Sequence, residues 1–246
     1  MHPILLHIGP LTVYSYGVMV ALGTLIASFF CQRHALKVGL SDEKIIDLIF
    51  WALIWGLIGA RLFYVLLNFG DYLKFPLDIV KIYKGGLVFH GGLILGFISG
   101  IVFIKRNKLP FLKTIDLIFL YLPLAHAFGR IGCFLNGCCY GKPTLLFFGV
   151  IFPGHPLCVH PTQLYSSFLL ICIFFALLKI SRNKKFSGQI FSAYCIFYGA
   201  VRFCVEILRV NPRVLWNFSY FQILSALMFF GGLFLYFYFK RMGKID

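Results

Sequence analysis

The chain has 246 residues, of which 60% are hydrophobic, 19% aromatic and only 13% charged, with a mean hydropathy of +0.88. A soluble chain of this size needs far more polar surface to cover its core, so a soluble globular enzyme is excluded. The net charge of +15 does not point to nucleic acid, because the basic residues are scattered over short loops and none of these could form a nucleic-acid-binding domain.

Apolar runs long enough to cross about 30 Å of hydrocarbon recur along the whole chain. They predict an all-α integral membrane protein of about seven transmembrane helices, over 12–32, 45–67, 87–104, 115–128, 163–180, 188–208 and 220–239. The fourth is short, and Pro123 would tilt or bend it. Residues 1–246 read as one polytopic membrane domain with an outer-face loop at about 129–162. No basic region precedes the first apolar run, so the first helix is expected to act as its own insertion signal. Fourteen Lys and Arg fall on one side of these spans, among them Arg33, Lys105, Arg182 and Lys244, and seven on the other, among them Lys84, Arg130 and Lys142. The richer side should be cytoplasmic, with the N-terminus outside and the C-terminus inside.

An ionisable group inside a span is costly and points to function. Glu206 is read as the one acidic residue in such a place, within "YGAVRFCVEILRV". Tyr198, Arg202, Glu206 and Arg209 follow one helical stripe, and Glu206 can pair with Arg202 a turn before it and Arg209 a turn after it. Two readings stay open: an ion pair that merely makes the helix insertable, or a net positive pocket suited to phosphate. Arg61 in "GARLFYVLLN" is either a snorkelling arginine or another cation at the outer end of the second helix. "GGLVFHGGLILG" places His90 among glycines, where a ligand could approach and a near-neutral base could take a proton. Tyr14 and Tyr16 read as interfacial aromatics.

"GRIGCFLNGCCYG", residues 129–141, is read as opening the outer loop and adds Arg130, Asn136 and Gly141. Its cysteines, with Cys158, admit a disulfide, a metal site drawn from Cys138, Cys139, His155, Cys158 and His160, or plain packing. Adjacent cysteines count against a zinc site. Cys31, Cys172, Cys195 and Cys204 fall in spans.

Taken together, "YSYG", "GARLFYVLLN", "GGLVFHGGLILG", "GRIGCFLNGCCYG", "HPTQLY", "YGAVRFCVEILR" and "QILSALMFFGG" resemble the bacterial prolipoprotein diacylglyceryl transferase family, in the family's order, from about residue 12 to about residue 232. The resemblance implies transfer of the diacylglyceryl group of phosphatidylglycerol to the lipobox cysteine of a preprolipoprotein, with glycerol phosphate leaving. It implies no metal or organic cofactor, membrane lipids and lipobox peptides as partners, and a multi-pass place in the bacterial cytoplasmic (inner) membrane with the site towards the outer face. By the same resemblance His90 is the base or positioning group for the thiol. Arg130 and Arg202 contact phosphate, Glu206 orients Arg202, Tyr16 donates a hydroxyl and Gly141 closes the signature. Asn136, Arg61 and Arg209 join them as substrate-binding candidates. The chain departs from the family at Cys133, where many members carry asparagine, and at Cys138 and Ser166, where many carry glutamate. A rival reading is an anion or lipid transporter with an arginine-lined path. Such a protein would show internal repeats or charges near mid-membrane.

Overall fold

The computed structural model describes residues 1–8, 11–74, 76–81 and 85–243. Lys84 and Lys244, counted in the charge asymmetry, lie outside them. The chain begins with an antiparallel hairpin of β1 (Ile4–Ile8) and β2 (Leu11–Tyr14). Helix α1 (Ser15–Lys37) follows, then α2 (Asp42–Leu67), the short α3 (Phe69–Lys74), a single-turn 3-10 helix (Pro76–Val80), α4 (Phe89–Arg106) and α5 (Phe111–Leu135). A loop carrying the two-residue strands β3 (Val150–Ile151) and β4 (Cys158–Val159) leads to α6 (Thr162–Arg182) and α7 (Gln189–Ile207). The hairpin of β5 (Arg213–Leu215) and β6 (Phe218–Ser219) then turns the chain into α8 (Tyr220–Met242).

Seven of these helices are long and apolar enough to cross a bilayer. A helix satisfies its own backbone hydrogen bonds, which hydrocarbon demands. Their outward faces keep large apolar side chains exposed, including Leu25, Phe97, Phe168, Phe175, Phe230 and Phe234. Lipid, not water, suits such a surface. The protein is a multi-pass membrane protein.

By packing, the chain forms two compact units, Met1–Cys31 with Ile115–Asp246, and Gln32–Thr114. In the second unit α2 packs along α4 through small residues. A Cβ on Gly59 or on Gly91 would collide with the other's carbonyl oxygen, so the two backbones touch here because neither residue has a side chain. In the first unit α7 packs along α8, and a Cβ on Gly199 would lie 2.8 Å from the Ser225 carbonyl oxygen and the Phe229 amide nitrogen.

Four details differ from the sequence reading. Residues 12–14 belong to strand β2 rather than to the first helix, and the buried Ser15 starts α1, its amide bonding the Pro3 carbonyl at 3.0 Å. The fourth span is not short: α5 runs 25 residues, straight through Pro123, so Gly129–Leu135 is helix and the loop begins at Asn136. Residues 208–209 lie beyond α7, which ends at Ile207. Finally, Glu206 is not alone, because Asp116 on α5 is also buried. Its carboxylate accepts from the amides of Gly188 (2.7 Å) and Phe191 (2.8 Å) at the start of α7 and meets Lys184 Nζ at 2.9 Å. It caps a helix end whose N–H groups have no intrahelical partner.

That cap generates a prediction. Asp116→Ala strands both amides and should cost about 3 kcal/mol in total, read as a lower thermal unfolding midpoint of the purified protein. Lys184→Met should cost clearly less, because the two amide bonds remain. Equal losses would mean that the ion pair, not the cap, holds this junction.

Candidate active site

Arg202 and Glu206 stand one turn apart on α7, where side chains four residues apart face each other. Arg202 Nη2 lies 2.9 Å from Glu206 Oε2, and the carboxylate is fully enclosed, with a side-chain exposure of 0%. Its other oxygen, Oε1, accepts from Ser219 Oγ at 3.0 Å and from the Asn211 side-chain amide. Ser219 is also the N-cap of α8, in a capping box with Gln222. One carboxylate therefore joins α7, the chain after it and the start of α8. The Arg202 guanidinium also lies 5.1 Å from the centre of the Phe221 ring.

These contacts leave donors unspent. Arg202 Nη1 and Arg209 Nε are buried and have no hydrogen-bond partner. A buried cationic donor without an acceptor is expensive, and an anion would relieve the cost. Glu206 does not take up Arg209, contrary to the expected pairing on both sides. Arg209 sits past the helix end, and its backbone bridges Gly141. Beside Glu206 and Arg209 is a cavity of about 210 Å³, also lined by Asn211, Arg213, Asn217, Ser219 and Gln222.

Helix α5 brings a second row to the same place. His126, Arg130 and Cys133 recur at spacings of four and three residues and so share a face. Arg130 lies within electrostatic range of Arg202, His126, Tyr16 and Cys139. The His126 ring is 5.3 Å from that of Tyr198, which stacks on Tyr194 at 5.5 Å. Tyr16, half exposed at the start of α1, reaches this cluster because α5 passes close at Gly132, where a Cβ would lie 3.2 Å from Tyr16 Cα.

Loop 136–161 is stapled to the cluster through backbone. The Lys142 amide donates to the Leu208 carbonyl at 2.7 Å and the Gly141 amide to the His160 carbonyl at 2.9 Å. A Cβ on Gly141 would sit 2.6 Å from the Leu208 carbonyl oxygen and 2.7 Å from Thr162 Cγ2, so only glycine fits. Thr162 Oγ1 donates to the Cys139 carbonyl at 2.9 Å, and the Gln163 side-chain amide to the Cys138 carbonyl at 2.5 Å. The "HPTQ" segment is thus an anchor for the cysteine turn. Ser166, where a glutamate was expected, is buried and bonds the Thr162 carbonyl at 2.7 Å. Asn136 is exposed immediately after the end of α5.

All the described cysteines are free thiols. The Cys139 thiol is held well below the usual thiol range by the neighbouring Cys133 and Cys138 thiols and by the positive charge of Arg209 and Arg130, while the Cys138 thiol donates to the Cys133 carbonyl at 3.7 Å. Cys158 stands apart from this group in β4, while His155 Nδ1 contacts the Leu157 carbonyl and His160 Nδ1 the Tyr165 hydroxyl.

Residues 3–238 match the profile of the family "Prolipoprotein diacylglyceryl transferase". A protein of Clostridium tetani named phosphatidylglycerol--prolipoprotein diacylglyceryl transferase is 39% identical over 218 residues, 87% of each chain. Proteins of the same name from Clostridioides difficile and Ehrlichia canis are 34% and 33% identical, covering 93% and 97% of this chain and 92% and 95% of their own. The chain belongs to the prolipoprotein diacylglyceryl transferase family.

In this family member the remaining sequence candidates lie in the other compact unit. His90 is exposed in the first turn of α4. Arg61 is buried, and its guanidinium is largely occupied by backbone carbonyls: Ile79 (2.8 Å), Gly85 (2.7 Å), Gly86 (3.1 Å) and Asp78 (2.5 Å). It also lies over the rings of Tyr64 and Tyr72. Arg61 therefore shapes the segment leading to His90 instead of offering a free cation. Sequence reasoning missed His126, whose signal was present: a histidine inside a span, one turn before Arg130. It also missed Asn211 and Ser219, polar residues in a loop with nothing in their spacing to mark them as carboxylate partners.

The Gly141 contact is directly testable. Gly141→Ala should raise amide hydrogen exchange at 139–143 and at 208–210 while the helices stay protected. Unchanged exchange there would show that the loop tolerates a Cβ and that the staple is not what positions it.

Proposed function

We propose that this chain transfers the diacylglyceryl group of phosphatidylglycerol to the lipobox cysteine of preprolipoproteins. The thiol sulfur attacks the glyceryl carbon bearing the phosphate ester, a C–S bond forms, the C–O bond breaks and glycerol phosphate leaves. The observation that carries this reading is the pair of buried, unpartnered guanidinium donors, Arg202 Nη1 and Arg209 Nε, beside a carboxylate whose Oε1 is bonded by Ser219 and Asn211 and whose Oε2 meets Arg202 only as an ion pair. Three arginines close together in a helical membrane protein suit the phosphodiester of an anionic lipid. Relatives whose name carries both phosphatidylglycerol and prolipoprotein point to the same chemistry.

Charge grows on the departing phosphate oxygen as the C–O bond breaks. Arg202 and Arg130 are proposed to compensate it, with Arg209 holding the phosphate and Glu206 fixing the angle of Arg202. Tyr16 and Asn136 are proposed as polar contacts to the donor headgroup, and Gly141 as the residue that lets the loop close on it. His90 is proposed to take the thiol proton, a role resting on the likeness of its segment to the family's. A thiolate, not a thiol, is the nucleophile. The proposed setting is the bacterial cytoplasmic membrane with the site towards the outer leaflet, the N-terminus outside and the C-terminus inside, supported by the Lys/Arg asymmetry. A reporter fused at the C-terminus should be active only in the cytoplasm, and one inserted at 145–148 only outside. The reverse pattern would overturn the orientation.

The mechanism is tested by asking which variants restore lipoprotein modification to cells depleted of their own enzyme. Arg202→Ala should lower the rate by roughly 100- to 1,000-fold, the usual loss for one preorganised donor at a developing charge. Arg130→Lys should substitute poorly, because a point charge replaces a planar fork. The double change Arg202→Leu with Glu206→Leu separates two roles. A merely structural ion pair can be replaced by apolar residues without loss. We expect the double variant to reach the membrane and yet be nearly inactive, and an active one would remove Arg202 from the chemistry.

A further inference from the structure

The sulfur atoms of Cys133, Cys138 and Cys139 all lie within 4.8 Å of one another. Adjacent cysteines alone spread their side chains, which is why the sequence counted them against a metal. The fold changes this in two ways. Helix α5 ends at Leu135, and Gly137 then takes a left-handed conformation, φ +73°, which folds the chain back so that the Cys138 amide bonds the Cys133 carbonyl at 3.2 Å. Cys139 is itself left-handed, φ +69°, an uncommon state for a residue with a Cβ. A strained conformation persists where the surroundings impose it, and here Thr162 and Gln163 clamp the carbonyls of both turn cysteines.

We propose that Cys133, Cys138 and Cys139 form a three-thiolate site for one soft d10 metal ion of the Cu⁺, Zn²⁺ or Cd²⁺ class. With a metal–sulfur distance of about 2.3 Å, three sulfurs around one ion sit about 3.8–4.0 Å apart. The observed spacing is therefore reached by small side-chain rotations. Thiolates select soft ions over Mg²⁺ or Ca²⁺. Binding displaces the protons still held by the thiols as the metal–sulfur bonds form, so affinity rises with pH. A divalent ion with three thiolates carries one net negative charge, and Arg130 and Arg209 lie within range to balance it. The clamped carbonyls are outer-shell support of the kind that fixes ligand geometry. Among the described residues no fourth Cys, His, Asp or Glu joins the group, so the site is three-coordinate from protein, with room for a small fourth ligand.

The test uses the full-length protein, purified in detergent and kept reduced and free of oxygen, with Cd²⁺ as the spectroscopic probe. One equivalent should bind with a sulfur-to-metal charge-transfer band, and bound Cd²⁺ should protect Cys133, Cys138 and Cys139, but not Cys158, from alkylation mapped by mass spectrometry. Cys139→Ser should weaken binding by more than about 10-fold, the lower end of what even an outer-shell change costs, whereas Cys158→Ser should leave it unchanged. The alkylation map needs no variant, so it decides the matter if Cys139→Ser fails to fold. Unprotected cluster thiols, undiminished binding by Cys139→Ser, or a disulfide within the cluster as isolated without oxygen would each overturn the proposal.

Discussion

The arrangement of the first compact unit depends on one buried ion pair, Arg202 with Glu206. Such a pair is seldom a source of stability, because desolvation consumes most of its Coulomb energy. Its value here is geometric. Glu206 Oε1 accepts from Ser219 and Asn211 while Oε2 pairs with Arg202, so moving the carboxylate would disturb the cap of α8 and loosen the chain that follows α7. Arg202 is therefore held by a carboxylate that is itself held by two elements. The guanidinium keeps one edge unspent. Rigidity on one side and an unpartnered donor on the other are what a preorganised anion site requires.

The loop after α5 is fixed by backbone contacts rather than by a hydrophobic core of its own. Its carbonyls are clamped by Thr162 and Gln163, and its Gly141–Lys142 edge is paired with Leu208 and Arg209. Both anchors come from the ends of the helices that flank the site, α6 and α7. Signature residues that look chemical in the sequence thus divide by role. Arg130 faces the cluster from a helix, while Gly141 and the "HPTQ" residues decide where the loop lies. The same clamp gathers three thiols beside two arginines.

The seven spans were legible because lipid-facing helices must be apolar throughout, a signal that no tertiary context can override. Boundaries were less so. The fourth span was cut short at 128 because Gly129, Arg130 and Gly132 look like loop residues, yet in a helix packed on α1 a glycine admits the neighbouring Tyr16 and an arginine faces its own cluster. Arg202 and Glu206 were legible from their four-residue spacing. Arg209 was misplaced because extending that stripe ignored where α7 stops. Arg61 looked like a binding cation because its carbonyl partners, in the segment before α4, carry no side-chain signal at all. His126 and Asp116 were overlooked beside more conspicuous neighbours, although a charged or imidazole side chain inside an apolar run was visible in each case.

The most direct test of the anion-site account is a defined reaction. The purified protein would be given a lipobox peptide and either phosphatidylglycerol or its uncharged methyl phosphotriester, which keeps a phosphate leaving group, with thioether product and glycerol phosphate both measured. The account predicts that product forms only with phosphatidylglycerol and that glycerol phosphate appears in equal amount. Product from the uncharged donor, or thioether without glycerol phosphate, would contradict it.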